Sequence, residues 1–518
     1  MASNQHRGLF AHLVTSATGA ANDNLFRQVV GVALGALGGS LIVDDPQRGG
    51  ELLVELAGMA FVIPFILLAP LAGALGDRLP RRSLVIGLRL AEIPLVLIGV
   101  WGFAQGWTSL MFCALGGLAL QSALFAPVKL SLLPDLVAER HLSGANAALQ
   151  AVTIVAILAG TALAMMADAT IIAGTPLARF GAPGGLATVG LLLAVIGLIA
   201  AWRLPSLPPA DPKAPLGLGN FRGLWRNLAD TRGVLAPALG LAAFWGLAIA
   251  AQALVLASGE RAYQLGHAHN WKLSVSLAGG IIAGSALAPW LTIRGYPAGL
   301  PVIGAIIAAL GLITAAGVAD TPGSAWWQFA IWLGVTGIGA GLWEVPQQVL
   351  IQERAPEQRR SQVLAAVGVL GSLAMLGAQG LAMTLTMVAR LPGPQVLGAL
   401  GWITLIIAGF CVWHYRTQIL GWMLMRLVRI GYRISVTGGQ DFPRTGGCLV
   451  VCNHISYADG LILCSVLPRP ARFLVYHTYV NAPLIGPVLR AGGAIAVTDG
   501  NQRQALVAAI DAAVAAAQ

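Results

Sequence analysis

Long apolar runs, each of about 20 residues, recur along the first four-fifths of the chain and constrain its fold most. A run of this length spans a bilayer as a single helix. The uninterrupted runs are 57–75, 84–104, 108–126, 184–202, 237–257, 273–293, 298–318, 325–343 and 395–413. Polar residues interrupt three more, at 10–38, 143–168 and 361–389. The sequence therefore predicts an all-α membrane protein with about twelve spans.

The composition excludes a soluble globular protein. Hydrophobic residues make up 57% of the chain and charged residues only 10%, whereas a soluble domain carries about 25% charged residues. The net charge is +10, but the lysines and arginines are spread over the loops between spans, which indicates membrane topology. We therefore expect the lipid bilayer, and no nucleic acid, as a partner, with both termini on the cytoplasmic side.

The sequence gives no pattern typical of a cofactor or metal site. Cys448 and Cys452 lack partners at metal-ligand spacing. We expect the pair His267 and His269 to lie in a solvated outward loop. The first apolar stretch carries Asp23 at its centre and is too long for a signal peptide, so it is predicted to be an uncleaved helix.

Two pairs of segments repeat at nearly the same separation. Pro127 in 125–148 aligns with Pro346 in 344–366, 219 positions on, and Pro80 aligns with Pro297, 217 positions on. A duplicated six-helix unit inserted the same way round gives parallel repeats related by an axis along the membrane normal. The predicted divisions are a first bundle at 1–202, a cytoplasmic connection at 203–235, a second bundle at 236–416, an interfacial helix at 417–436 and a further domain at 437–518.

The loop "GALGDRLPRRS" (73–83) resembles the signature between the second and third helices of the major facilitator superfamily. Asp77, Arg78, Arg81 and Arg82 fit that signature, and Pro80 replaces its usual glycine. The resemblance implies a twelve-helix major facilitator fold of two six-helix repeats. We expect Asp77 to cap a neighbouring helix and the arginines to pair with acids, so that the loop fastens one gating state. The alternative is an ordinary positive loop on the cytoplasmic side.

Ionisable residues lie within or near the predicted spans, where they are costly and usually face a cavity or a partner. Asp23, between Asn22 and Asn24, offers an anion and amide groups to an ammonium head group or a cation. Lys129 could meet a phosphate, and Glu344 is a further candidate for the substrate site. For residues near span ends, such as Lys129, snorkelling is the alternative. The other ionisable residues within or near the predicted spans are Arg27, Glu55, Arg89 and Glu92, and snorkelling is the alternative for Glu55 as well.

The segments "FAPVKLSLLPDL" and "EVPQQVLIQER" resemble bacterial lysophospholipid transporters, a branch of the major facilitator fold, and the likeness extends over most of 10–415. The resemblance implies a multi-pass protein of the bacterial inner membrane that moves lysophosphatidylethanolamine-type lipids to the cytoplasmic leaflet. The alternative is a major facilitator exporter of drugs or small metabolites with a non-functional tail. An acyltransferase merely anchored by helices fits less well, because an anchor needs neither the repeat nor the Asp77 loop.

The segment 413–436 after the last span places Arg426, Arg429 and Arg433 on one helical face, opposite apolar residues. This pattern predicts a basic amphipathic helix on a membrane surface with anionic lipid. A core helix of a soluble domain is the alternative.

The stretch "VCNHISYADG" (451–460) follows apolar runs separated by Gly-rich turns, which predicts strand, loop and strand before it. His454 can take a proton from a hydroxyl near neutral pH, and Asp459 can fix its tautomer. The motif Asn-His-x-Ser-x-x-Asp resembles the first motif of glycerolipid acyltransferases, which have an α/β fold. The resemblance implies catalysis by His454 and Asp459, with the acyl group arriving as a thioester of acyl carrier protein or coenzyme A.

The same family carries a later Glu-Gly-x-Arg motif, which this sequence does not contain after His454. We therefore expect a partial acyltransferase domain that is inactive in the 518-residue form. The sequence as a whole predicts a lysophospholipid transporter that delivers its substrate for re-acylation.

Overall fold

The fold is described from a computed structural model of the chain. It describes residues 2–42, 58, 61–164, 181–265, 267–292, 299–437, 442–443, 447–456, 458–467, 471–483, 485–491, 493–498 and 503–517. Glu55, predicted to lie near a span end, falls outside the described residues. The chain forms two compact units, Met1–Pro289 with Ile307–Thr404, and Trp290–Ile306 with Leu405–Gln518.

Long helices make up the first unit. Its first half contains α1 (Ala2–Ile42), α2 (Phe61–Leu67), α3 (Ala69–Arg78), α4 (Arg81–Gln105), α5 (Thr108–Ser131), α6 (Leu133–Leu136), α7 (Leu142–Ala164) and α8 (Gly181–Trp202). The connection carries α9 (Phe221–Asp230). The second half contains α10 (Leu235–Tyr263), α11 (His267–Leu291), α12 (Gly299–Asp320), α13 (Trp326–Arg354), α14 (Arg360–Met383) and α15 (Gly393–His414).

Nine helices of the described part are long and apolar enough to cross a membrane, and the bent pair α2–α3 makes a tenth. The pair bends by 60° where Pro70 enters the first turn of α3, because a proline ring clashes with the carbonyl four residues before it. Helices α1 and α8 are outside that count, and with them the described part of the chain has the predicted twelve helical segments. It is a multi-pass membrane protein.

Small residues let the helices approach closely. Gly160 of α7 lies against the backbone carbonyl of Ala21 in α1, where a Cβ atom would overlap that carbonyl. Close approach at glycine is the common way in which membrane helices gain van der Waals contact, since lipid gives no hydrophobic drive between them. The packing of α1 on α7 fixes the rotation of α1 about its axis, and therefore the directions in which its polar residues point.

The second unit contains α16 (Arg416–Gly431), α17 (Asp459–Val466), β1 (Leu474–Tyr476), α18 (His477–Val480), α19 (Gly486–Ala491), β2 (Ile495–Val497) and α20 (Arg503–Ala517). The strands β1 and β2 pair in parallel, with Leu474 opposite Ile495. Parallel pairing needs a crossover, which α18 and α19 supply. The tail is thus a small α/β arrangement.

Two expectations about local structure were wrong. The apolar run Cys448–Val451 does not form the predicted strand: the described residues 447–456 have no regular structure, and Leu449 and Val451 are each 83% exposed. A strand needs a neighbour for its backbone groups, and this run pairs with no strand in the described part. His267 and His269 do not lie in a loop, because α11 begins at His267.

Candidate functional site

The polar triplet of α1 points in three directions. The side-chain amide of Asn22 donates to Glu92 Oε1 at 2.7 Å and to the carbonyl of Gly190 at 3.1 Å. Asp23 Oδ2 accepts the hydroxyl of Ser122 at 2.5 Å. Asn24 donates to the carbonyl of Ala20 in its own helix. Consecutive residues of an α-helix are turned by about 100°, so the three residues predicted to form one cluster are divided, and only Asp23 faces α5.

Glu92 belongs to a buried ion pair of the first half. Its Oε2 lies 2.5 Å from a guanidinium nitrogen of Arg89, and each residue is 1% exposed. The Arg89 guanidinium also lies 4.9 Å from the ring centroid of Phe125. A buried pair needs such additional contacts to offset desolvation. Asn22 therefore supports this pair from α1.

Lys129 and Glu344 come from opposite halves. Lys129 lies in the last turn of α5, and Glu344 in α13 is 6% exposed. The next residue after Lys129 provides the contact between the helices, because the carbonyl of Leu130 accepts the amide of Gln352 at 3.1 Å. Lys129 is attracted electrostatically to Glu344 and to Asp23. Lys129 thus interacts electrostatically with one acid of its own half, Asp23, and with one acid of the second half, Glu344.

The signature loop joins the two halves at one end of the bundle. Asp77 Oδ1 accepts the backbone N–H of Ser361 at 2.9 Å, and its Oδ2 accepts the backbone N–H of Gln362 at 3.2 Å. Both donors lie in the first turn of α14. Gly76 makes this approach possible, since a Cβ atom there would lie 2.8 Å from the Ser361 side chain.

The arginines of the loop have different partners. Arg81 forms an ion pair with Asp135 in α6, and Arg360 of the second half lies 3.0 Å from the other oxygen of Asp135. Arg78 donates to the carbonyl of Ala214 at 3.3 Å, and Arg82 to that of Trp202 at 2.7 Å. We name Asp77, Arg81, Asp135, Arg360 and Ser361 the latch.

Sequence reasoning missed several members of this contact region. Asp135 and Arg360 lie in the two repeated segments. The acidic and basic positions that these segments share could therefore have indicated an ion pair between the halves. Asn146 and Gln352 exchange two side-chain hydrogen bonds, at 2.7 and 3.1 Å, across the halves. Their pairing could not be read from sequence, because it joins positions 206 residues apart.

The tail brings His454 and Asp459 together. His454 Nδ1 lies 3.2 Å from Asp459 Oδ2, and the His454 side chain is 76% exposed. The same carboxylate oxygen accepts the backbone N–H groups of Ser456 at 2.7 Å and Ile455 at 2.6 Å. These N–H bonds hold the pKa of Asp459 below its ordinary value. A charged, fixed carboxylate beside Nδ1 leaves Nε2 as the nitrogen able to accept a proton.

Comparison with known families accounts for both parts of the chain. The Major Facilitator Superfamily profile matches residues 17–379, and the Acyltransferase profile matches residues 433–515. Among solved structures, the human organic anion transporter MFSD10 is 15% identical with a TM-score of 0.64, covering 78% of this chain and 99% of that one. A bacterial homologue of the iron transporter ferroportin in an outward-facing state is 18% identical with a TM-score of 0.59, covering 80% of this chain and 99% of that one. At these identities the likeness shows the fold alone.

Similar curated proteins point to one branch of the superfamily. The lysophospholipid transporter LplT of Serratia proteamaculans is 30% identical over 346 residues, covering 62% of this chain and 78% of that protein. The protein of the same name from Salmonella arizonae is 29% identical over 384 residues, covering 69% of this chain and 86% of that protein. The chain therefore belongs to the lysophospholipid transporters of the major facilitator superfamily, and it carries an acyltransferase domain in its C-terminal part.

Proposed function

We propose that the protein moves lysophosphatidylethanolamine-type lipids to the cytoplasmic leaflet of the bacterial inner membrane, for re-acylation there by acyltransferase chemistry. The observation that carries this proposal is a set of interacting opposite charges: Lys129 and Asp23 belong to the first half, and Glu344 belongs to the second. Relatives named as lysophospholipid transporters support the substrate class.

The charges suit a zwitterionic head group. A lysine in a low-dielectric site attracts a phosphodiester, and a carboxylate attracts a primary ammonium. Both charges of the lipid would then be neutralised while it crosses the bilayer, which is the most expensive step for a charged group. Asp23 is fixed by Ser122, and Glu344 is held in the buried part of α13.

The latch is consistent with the direction of transport that we propose. Arginine-rich loops face the cytoplasm in most membrane proteins, so we assign the latch end and both termini to that side. With the latch formed, the substrate site would open away from the cytoplasm and accept lipid from the outer leaflet. Breaking the latch would release the lipid inside.

Delivery on the cytoplasmic side would place the lysolipid in the leaflet that the tail domain can reach. There His454 would take the proton from the lipid hydroxyl as it attacks the thioester carbon. The bond between that carbon and sulfur would then break, His454 would return the proton to the departing thiol of acyl carrier protein or coenzyme A, and the acyl group would remain as an ester on the lipid. Asp459 would hold His454 in the needed tautomer.

The test is a flipping assay in vesicles with purified protein and labelled lysophosphatidylethanolamine. We expect the wild-type protein to move the lipid and Asp23→Asn to slow it, because the variant keeps the bond to Ser122 but loses the charge. The folded amount should be unchanged. Asp230→Asn, at an exposed position that ends α9, is the matched control. A wild-type protein that exports drugs and moves no lysolipid would contradict the proposal, and wild-type rates in Asp23→Asn would remove Asp23 from the site.

A further inference from the structure

The buried face of α13 that meets the first half carries three polar residues at intervals of four. Gln352 binds Asn146 and the carbonyl of Leu130 in the first half. Glu344 attracts Lys129, the neighbour of Leu130. Four residues turn an α-helix by about 40° beyond a full circle. Gln348 therefore lies between Glu344 and Gln352 on this face.

The Gln348 side chain is buried with an unused donor. Gln348 is 5% exposed, and its Nε2 atom has no hydrogen-bond partner among the described residues. Glu344 Oε2, one turn away, also lacks a partner there. Leaving a buried donor unpaired is destabilising. An unpaired group in a native protein therefore calls for an explanation, and a bound molecule that supplies the partner is one.

The adjacent glutamine, Gln347, is equally buried, but its donor has a partner. Gln347 donates its Nε2 to the carbonyl of Trp343 at 3.1 Å. It packs toward Gly240 of α10 within the second half, where the glycine leaves it room. Gln347 is likewise 5% exposed, so burial alone does not leave an amide unpaired on this helix. The unpaired donor lies on the face of α13 that also carries Glu344 and Gln352.

We propose that the side-chain amide of Gln348 binds the phosphodiester of the transported lysophospholipid, donating from Nε2 to a phosphate oxygen beside the ammonium of Lys129. This inference rests on the proposed function and adds a specificity-determining residue to it. An amide donor and an ammonium together recognise a phosphate, while neither is needed for a glycerol ester without phosphate. The pair therefore selects lysophospholipids over monoacylglycerols.

The test is equilibrium binding of labelled lysophosphatidylethanolamine to the purified full chain, with monoacylglycerol measured by competition. Gln348→Met removes the donor at nearly the same volume. A hydrogen bond to a charged group contributes about 1.5 kcal/mol or more, so lysophosphatidylethanolamine binding should weaken about tenfold. Monoacylglycerol binding should stay within about twofold. Gln347→Met, the matched control, should leave the preference for the phosphate-bearing lipid unchanged.

A second variant separates the loss of the amide donor from any change in side-chain packing. Gln348→Glu retains a polar side chain of the same size, but places an acid near the phosphate, so it should weaken lysophosphatidylethanolamine binding at least as much. Unchanged binding in both Gln348 variants, or an equal loss for both lipids, would overturn the inference while leaving transport intact. A wild-type protein that binds no lysophospholipid would instead overturn the proposed function.

Discussion

The carboxylate of Asp77 lies 2.9 Å from the backbone nitrogen of Ser361, so an acid from the first half caps a helix of the second. A carboxylate at a helix N-terminus satisfies free N–H groups and interacts favourably with the helix dipole. Cap and helix belong to different halves, so an opening between the halves at this end would break the interaction. We therefore propose that Asp77 stabilises one conformation of the transporter rather than the fold of either half.

Replacing Asp77 with asparagine should open the latch end. The variant keeps an oxygen acceptor but loses the charge and one oxygen, and a negative charge at a helix N-terminus contributes about 0.3–2 kcal/mol. That shifts a two-state equilibrium by a factor of about 2–30. Spin labels at the exposed positions His141 and Gln358 would report the change as a larger population of long distances.

The control for this prediction is Asp230→Asn, which removes the same charge from an exposed site at the end of α9. It should leave the distance distribution unchanged. An Asp77→Asn protein with the wild-type distribution would show that the cap contributes nothing to the closed state.

Arg426 of α16 caps another helix, within the second unit. Its Nε donates to the carbonyl of Leu291 at 3.2 Å, its terminal nitrogen contacts the carbonyl of Trp290, and Trp422 Nε1 donates to Leu291 O at 2.9 Å. These carbonyls end α11, where a cation is favourable. Arg426, one of the three arginines predicted to face lipid, thus forms hydrogen bonds within the protein.

We expect Arg426→Ala to loosen α16. Losing charge-assisted hydrogen bonds of about 1.5 kcal/mol should speed backbone hydrogen exchange in 416–431 about tenfold, as measured by mass spectrometry. Arg433→Ala, at an exposed position beyond α16, should leave that exchange unchanged. Equal protection in the two variants would mean that the cap does not hold the helix.

Much of the fold could be predicted because its determinants are local. A run of apolar residues long enough to cross a bilayer forms a helix whatever its neighbours are, since every backbone group must be paired inside the helix. The strand predicted at Cys448–Val451 failed for the opposite reason. A strand depends on a partner elsewhere in the chain, and no local pattern reveals whether that partner is present.

The residues of the candidate site also differ in whether local sequence could predict their contacts. His454 and Asp459 are five positions apart and meet across one turn, so their spacing was informative. Asp77 was recognised by its motif, but its partners Ser361 and Gln362 lie nearly 300 residues away. Asn22, Asp23 and Asn24 are adjacent in sequence, but a helix turns adjacent residues in different directions, so their side chains have separate partners.

The turn at Asp459 should depend on pH in a defined direction. The N–H groups of Ser456 and Ile455 lower the pKa of Asp459 in the folded state, below the value of about 3.9 typical of an unfolded chain. The stabilisation is therefore fully present above about pH 4 and is lost as the pH falls through the lowered folded pKa. Hydrogen exchange of peptide 451–460, corrected for its intrinsic rate, should show constant protection from pH 7 to about 5 and a decline below about 4. Asp459→Asn should lose that pH dependence, whereas Asp511→Asn, exposed in α20, should keep it.

The last prediction separates the two activities proposed for the chain. The assay follows lysolipid uptake and diacyl product in the same vesicles. It uses the chain extended by a Glu-Gly-x-Arg segment from a related domain, because the sequence has none after His454. His454→Ala should lower acyl transfer to lysophosphatidylethanolamine by about 10²–10⁴-fold, the usual contribution of a general base.

Asp459→Asn should cost less than His454→Ala, since it disturbs the orientation and charge of the imidazole but leaves the proton acceptor in place. The amide still offers one oxygen to the N–H groups of Ser456 and Ile455, so the turn is weakened rather than removed. Uptake should be unchanged in both variants, because neither residue belongs to the membrane helices. His477→Ala, which removes another imidazole of the same domain, is the control and should retain acyl transfer. Full acylation by the His454→Ala protein would show that the motif has no catalytic role, and a parallel loss of uptake would show that transport and acylation depend on one another.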